Sequence, residues 1–376
     1  MKKPPHKRTD PEGVSLTEVL ARWHIDLPLL SLLLAVSGIG LFTLYSASGH
    51  EIGVVLGQCI RLLIGITAMA VVAQIPPEWY RIAAPFFYVI GSVLLVLVLL
   101  LGDTAKGAQR WLDLGVLRFQ PSEIMKLAVP MTIAAYLHLR PLPPRWMDIA
   151  LVGLLILVPV GLVADQPDLG TALLIAAAGG FVLFVAGLRW RFIILLGLTL
   201  LALAPLLWAN LHDYQQQRVL TFLDPERDPS GAGYHITQSK IAIGSGGLLG
   251  KGWMNSSQAK LDFLPESHTD FIFAVYAEEM GLLGVLLLLA LYCGIVLRGL
   301  YIALRGQDMF QRLVAGGLSF TFFLYVFINM GMVAGILPVV GVPLPMVSFG
   351  GTSLVIMLAS FGILMSIHTH RKLISS

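Results

Sequence analysis

Ten apolar runs alternate with short polar segments along the chain: 27–47, 52–74, 83–101, 122–139, 148–164, 169–187, 192–209, 271–297, 313–336 and 352–368. A bilayer core about 30 Å thick takes roughly 20 helical residues to cross. The pattern therefore predicts an all-α polytopic membrane protein of about ten transmembrane helices. The first run follows a polar segment carrying Lys2, Lys3, Lys7, Arg8 and Arg22. It exceeds the usual apolar core of a signal peptide, and further spans follow at once, so it is expected to be retained as a helix. The expected organisation is an N-terminal segment over 1–26, a transmembrane domain over 27–368 and a C-terminal tail over 369–376. The longest connection, 210–270, becomes one large loop between helices 7 and 8.

Composition supports the same class. Of 376 residues, 56% are hydrophobic and 12% charged, against about 25% charged in an ordinary soluble domain. Net charge is only +3 and the basic residues are scattered, which argues against a nucleic-acid partner. Cys59 and Cys293 both lie inside apolar runs and give no sign of a disulfide framework or a cysteine zinc site.

Loop charges orient the chain. With the N-terminus cytoplasmic, the short inner segments hold 15 Lys and Arg and the short outer segments hold three, Lys106, Arg110 and Arg118. The positive-inside rule then places both termini in the cytoplasm and the 210–270 loop outside. Loops of that length are usually functional or disordered. This one mixes Gly-rich and charged stretches (Arg227-Asp-Pro-Ser-Gly-Ala-Gly233) with apolar islands (Ala259-Lys-Leu-Asp-Phe-Leu264) and is expected to fold against the membrane domain.

Ionisable side chains in or at the ends of spans are costly unless paired or wet, so they are the best pointers to chemistry. Glu123 and Lys126 stand three apart on one helical face, within pairing reach. They read as a structural ion pair, as the wall of a polar cavity, or as both. Asp270 sits where the long loop enters span 8, either as a simple helix-start carboxylate favoured by the dipole or as a functional acid. His268, Glu278 and Glu279 crowd the same apolar stretch. Asp168 is a plausible N-cap for span 6. Arg61 lies inside span 2, with no partner legible in the sequence. The stretch Gly244-Ser-Gly-Gly-Leu-Leu-Gly-Lys-Gly252 resembles a phosphate loop, but Ser245 and Gly252 stand where that motif requires Gly and Ser/Thr. Neither HExxH nor GxSxG occurs.

Taken together, the charged positions resemble one family. Gly107-Ala-Gln-Arg-Trp111, Gln120-Pro-Ser-Glu-Ile-Met-Lys-Leu127, Gln166-Pro-Asp-Leu-Gly-Thr171, Leu264-Pro-Glu-Ser-His-Thr-Asp-Phe-Ile-Phe-Ala274, Ala277-Glu-Glu279 and Pro343-Leu-Pro-Met-Val-Ser-Phe-Gly-Gly351 are similar to the motifs of the SEDS (shape, elongation, division, sporulation) membrane proteins. They occur in the family's order from span 3 to span 10. Leu337-Pro-Val-Val-Gly-Val-Pro343 resembles the elongation member rather than the division member, which has Thr-Lys-Gly after that Leu-Pro. Departures are Phe349 where Tyr is common and Ser267 where Arg is frequent.

The resemblance implies a peptidoglycan glycosyltransferase that polymerises lipid II at the outer face of the bacterial cytoplasmic membrane, with a class B penicillin-binding protein as partner. It puts the family's essential acid on Asp270, its charged pair on Glu123 and Lys126, and its Arg-Trp motif on Arg110 and Trp111. Gln166, Asp168, Glu278, Glu279, Ser348 and Gly350 fall on its other motif positions. The residues fit that chemistry. A sugar hydroxyl attacking an anomeric carbon needs a general base, whereas a diphosphate leaves without the second carboxylic acid that glycosidases use. Asp270 is expected to be the base, with His268 beside it. Arg110, Lys126, Lys240 and Lys251 are candidates to neutralise the diphosphate, a task that a divalent cation (Mg or Mn) would share. The rival reading from residues alone is a lipid-linked precursor flippase or transporter. A third is a membrane scaffold that only recruits a synthase.

Overall fold

The structure, a computed structural model, describes residues 23–105, 108–113, 118–211, 213–224, 228, 231–261, 263 and 267–370. The N-terminal cations Lys2 to Arg22, together with Lys106, Gly107, Arg227, Pro265, Arg371 and Lys372, lie outside the described residues.

Each predicted apolar run forms a helix: α1 (Leu27–Ala47), α2 (Ile52–Ala73), α3 (Pro77–Leu101), α4 (Pro121–Leu137), α5 (Trp146–Asp165), α6 (Leu169–Val185) and α7 (Trp190–Asn210). Three more follow the long loop and are named below with its own helices. Local chemistry sets the helix ends. Asp26 caps α1 by accepting from Leu29 N at 2.9 Å, Asp168 caps α6 from Thr171 N at 3.2 Å, and α3 and α4 open on prolines, whose missing N–H is no loss in the first turn.

The long loop folds rather than trails. It contains α8 (Asp213–Leu223), α9 (Ala232–Ser245) and a single turn, α10 (Ser257–Lys260). The bundle is then completed by α11 (Ile272–Leu304), α12 (Met309–Val333) and α13 (Thr352–Thr369). As expected, the loop docks on the membrane domain: α9 packs on α11 and α12, and Ser239 Oγ donates to Val333 O at 2.8 Å. Between α3 and α4 the chain forms a small antiparallel sheet absent from the sequence prediction: β1 (Asp103–Ala105), β2 (Ala108–Asp113) and β3 (Arg118–Phe119), in the order β1-β2-β3. A tight meander pairs backbone groups that would otherwise be stranded beside the membrane.

Among the described residues seven helices (α1, α2, α3, α5, α11, α12 and α13) are long and apolar enough to cross a membrane, and α6 and α7 are shorter apolar helices. The remaining one, α4, carries Glu123 and Lys126. It is buried along most of its length, enclosed by α3, α5, α6 and α12. That enclosure explains how a helix with two charges is accommodated in a lipid-facing bundle. α12 forms the other half of the core. In contrast, the side chains along α7 are largely exposed and apolar.

The helices alternate in direction, so the bundle has two ends. At one end the first and last described residues meet: Arg298 forks onto Asp26 at 3.1 and 2.6 Å, and the His24 and His370 rings stack with centroids 3.7 Å apart. The other end carries the sheet, the long loop and Asp270.

Candidate active site

Asp270 ends a turn, 267–270, that precedes α11. This turn is laced to the loop joining α12 to α13. Ser348 Oγ donates to Thr269 O at 2.6 Å and accepts from Leu344 N at 2.8 Å. Phe349 N donates to His268 O at 3.0 Å, and the two rings meet edge-on at 6.2 Å. Asn329, fully buried on α12, donates to Asp270 O at 2.9 Å and to Val342 O at 2.7 Å. Gly341 lies against Asp270 Oδ2. From α2, Gln58 donates to Ser348 O at 3.1 Å and accepts from Gly350 N at 3.3 Å. From below, the buried Tyr292 donates to Pro345 O at 2.6 Å. The half-buried Asp270 thus stands on a backbone fixed from three helices, the condition for a pre-organised group.

This floor is recessed. Gly65 faces Leu358, and Gly362 faces the Met69 carbonyl, so α2 and α13 run side by side in the same direction. In that register Thr352, the first residue of α13, lies level with residue 59 of α2. The first seven residues of α2 therefore extend about 10 Å beyond the start of α13 at 1.5 Å per residue.

Beneath the loop are two adjoining clefts. One, with about 260 Å³ of empty space, is lined by Pro343, Leu344, Ser348 and Gly350. The other, about 330 Å³, is lined by Glu123, Lys126, Thr321 and Ser360. Tyr325, Ser353 and Met357 border both. Lys126 Nζ is 2.7 Å from Glu123 Oε1. It also donates to Tyr325 OH, which in turn donates to Glu123 Oε2 at 3.4 Å. The pair is a buried ion pair, and both side chains line the larger cleft. Tyr325, as the third member, was not singled out by sequence, because one Tyr in an apolar run carries no signal.

The other predicted residues separate into groups. Arg110, on β2, lies 3.7 Å from Asp168 Oδ2 and donates to Pro167 O. Asp168 also accepts from Gln120 at 3.3 Å. Gln166 donates to Leu95 O at 2.9 Å, and Gly170 packs on Val340 O, one residue from Gly341. The Arg-Trp strand and the start of α6 therefore flank the Asp270 loop, with Trp111 partly buried on the same strand.

Glu278 and Glu279 turn elsewhere. The fully buried Glu278 takes Lys251 Nζ at 2.5 Å, Ser256 Oγ at 2.5 Å, and Ser257 Oγ and N at 2.7 and 3.1 Å. Glu279 accepts from Ser46 Oγ. These two acids hold the 246–258 segment to the bundle.

That accounts for the glycines of the phosphate-loop-like stretch. A Cβ at Gly246 would overlap the Ala277 carbonyl and one at Gly250 (φ 79°) the Glu279 carbonyl. Lys251 N and Gly252 N donate to the carbonyls of Glu278 and Glu279 at 3.0 Å each. α11 breaks here, at Gly281 (φ 63°, ψ −165°). The glycines allow close backbone approach. Lys240, exposed on α9, lies across Gly335 beyond the end of α12.

Comparison with known proteins agrees with this layout. The family model described as "Cell cycle protein", covering FtsW, RodA and SpoVE, matches residues 26–373. The chain is 55% identical over 353 residues to the peptidoglycan glycosyltransferase MrdB of Escherichia coli K12, covering 94% of this chain and 95% of that protein. Among solved structures it resembles a chain of a peptidoglycan synthase complex that coordinates polymerization and crosslinking, with TM-score 0.79, 36% identity, and 91% and 97% of the two chains covered. It also resembles the rod shape determining protein RodA of Thermus thermophilus, with TM-score 0.71, 32% identity, and 92% and 98% covered. The motifs gathered around Asp270, the full-length match and the shared fold together place this chain in the SEDS family of membrane proteins, among its RodA members.

Proposed function

We propose that this chain polymerises lipid II into glycan strands at the outer face of the bacterial cytoplasmic membrane, for cell elongation and rod shape, with Asp270 as general base. The chain is a peptidoglycan glycosyltransferase and a multi-pass membrane protein. The observation that carries the finer reading is the anchoring of Asp270: an acid half-buried in a recess, on a backbone held by Asn329, Ser348 and Phe349.

In the reaction, a hydroxyl of one lipid-linked sugar attacks the anomeric carbon of another. The new glycosidic C–O bond forms as the bond to the diphosphate oxygen breaks. The hydroxyl proton passes to the Asp270 carboxylate, and the diphosphate leaves carrying the negative charge. The base supplies driving force because the hydroxyl becomes acidic in the transition state. Of the four cations suggested by sequence, Arg110, Lys126 and Lys251 already face carboxylates. Lys240 has no ion-pair partner among the described residues and is the one best suited to meet diphosphate. His268 braces the turn through its carbonyl.

Among the described residues no group of three or more His, Cys, Asp or Glu is arranged to hold a metal ion. A divalent cation (Mg²⁺ or Mn²⁺) is therefore proposed only as a companion of the substrate's diphosphate, and chelation with EDTA tests it. The partner proposed is a class B penicillin-binding protein, in keeping with the synthase complex that this fold resembles. The excess of Lys and Arg at the other end supports cytoplasmic termini.

The deciding experiment gives purified protein lipid II in detergent, with and without the partner synthase. Wild type is expected to make glycan chains, and Asp270→Asn is expected to make none while unfolding at the wild-type temperature. A flippase has no membrane to work across in detergent and would make none in either case. Activity retained by Asp270→Asn would remove the acid from the mechanism.

A further inference from the structure

Arg61 is the intramembrane charge that the mechanism above leaves unused. It lies near the middle of α2, where a guanidinium is costly unless paired or wet. Among the described residues no carboxylate pairs with it, and its buried Nη1 has no hydrogen-bond partner. Its contact is the Phe349 ring, whose centroid is 4.3 Å from the guanidinium carbon. The side chain also turns back toward the Asp270 end, since Nη1 lies beside Gly57, one turn earlier on α2. A cation held over an aromatic face keeps its N–H edges for an anion.

Position identifies the anion. The Phe349 ring meets His268, and Phe349 N bonds to the His268 carbonyl, so one aromatic ring separates Arg61 from the turn that ends in Asp270. On its other side α2 is lipid-facing, with Leu56, Ile60, Leu63 and Ile64 all more than half exposed. An anion at Arg61 with an apolar tail along that face would be a lipid. Because Nη1 reaches back to Gly57, the guanidinium stands about 8 Å along α2 from its start at 1.5 Å per residue. A diphosphate drawn into the recessed site reaches that depth.

We propose that Arg61 binds the diphosphate of a polyprenyl-linked substrate, with the prenyl chain lying along the exposed face of α2. The guanidinium would fork onto two phosphate oxygens. This rests on the glycosyltransferase reading for the identity of the lipid, while the anion site stands on Arg61, Phe349 and the α2 face.

The test uses the full chain in phosphatidylcholine nanodiscs, titrated with undecaprenyl diphosphate. Arg61→Gln is expected to weaken binding roughly tenfold or more and Arg61→Lys less, because a point charge replaces a fork. In the lipid II assay the Gln variant is expected to raise KM with kcat changed less than about twofold. Equal diphosphate affinity for wild type and Arg61→Gln overturns the proposal. So does full competition by phosphatidylglycerol, which would make Arg61 a general lipid-phosphate contact. Should Arg61→Gln fail to fold, Phe349→Leu removes the ring beneath the guanidinium, and binding unchanged in that variant is equally fatal. Arg61-dependent diphosphate binding by a wild type that makes no glycan would overturn the glycosyltransferase reading and leave the anion site in place.

Discussion

Asn329 holds Asp270 by its backbone: the Asn329 amide donates to the Asp270 carbonyl at 2.9 Å and, with the same nitrogen, to the Val342 carbonyl at 2.7 Å. One buried side chain therefore joins the start of α11 to the loop that faces the acid. Asn329→Leu strips two carbonyls of their donor, at a cost of about 1–3 kcal/mol for buried groups left unpaired. Thermal unfolding in detergent should show the loss. Polymerisation should fall in kcat more than in KM, because the acid is displaced rather than the substrate refused. An unchanged kcat would make Asn329 a packing residue only.

The Glu123–Lys126–Tyr325 cluster makes a graded prediction. Removing one charge of a buried pair typically costs roughly 3–5 kcal/mol, so Lys126→Met and Glu123→Gln should each lower the unfolding temperature sharply. The double variant should lose clearly less than the sum. Tyr325→Phe removes only a hydroxyl and should cost about 1 kcal/mol. A fully additive double variant would contradict the 2.7 Å pair.

The Gly-rich loop predicts an order of effects. Gly250→Ala drives a methyl into the Glu279 carbonyl and should cost at least about 1–3 kcal/mol, the range for overpacking. Gly247 has open space but a positive φ of 56°, so Gly247→Ala should cost about 1–2 kcal/mol from backbone conformation alone. Gly244, helical and in open space, should accept Ala without loss. If diphosphate binding rather than stability tracked this order, the phosphate-loop reading would return.

The terminal end predicts a pH effect. Burial, and next the neighbouring His370, hold the His24 imidazole below the usual histidine range. A histidine depressed in the folded state stabilises it above the unfolded value, near pH 6.5, and that contribution is lost as pH falls below it. Hydrogen exchange in the peptide around residues 366–370 should therefore quicken between pH 7.5 and pH 5.5 beyond the intrinsic trend. His24→Gln should remove the difference.

The ten apolar helices were legible because lipid demands long apolar runs, and the ends of α1 and α6 because Asp26 and Asp168 cap them. The Glu123–Lys126 pairing followed from helical spacing alone. The sheet over 103–119 and helices α8 to α10 were not legible, since short polar segments owe their form to the surfaces they meet. Nor was the convergence of the 267–270 turn with the 342–350 loop, whose residues stand some eighty positions apart. Asn329 and Tyr325 were missed for a simpler reason: a neutral polar residue in a span looks like tolerated noise. In hindsight the trace was Asn329 itself, an amide too polar to sit in α12 without partners.

The low start of α13 has a consequence for traffic. Because α2 rises about 10 Å beyond it, the loop that faces Asp270 sits in a step, walled on one side by the first turns of α2. In the proposed reaction a lipid-linked substrate would approach along the exposed apolar face of α2 with its tail still among apolar side chains. On that reading the step sorts by polarity, setting an apolar side for the reactants against a polar side for the glycan.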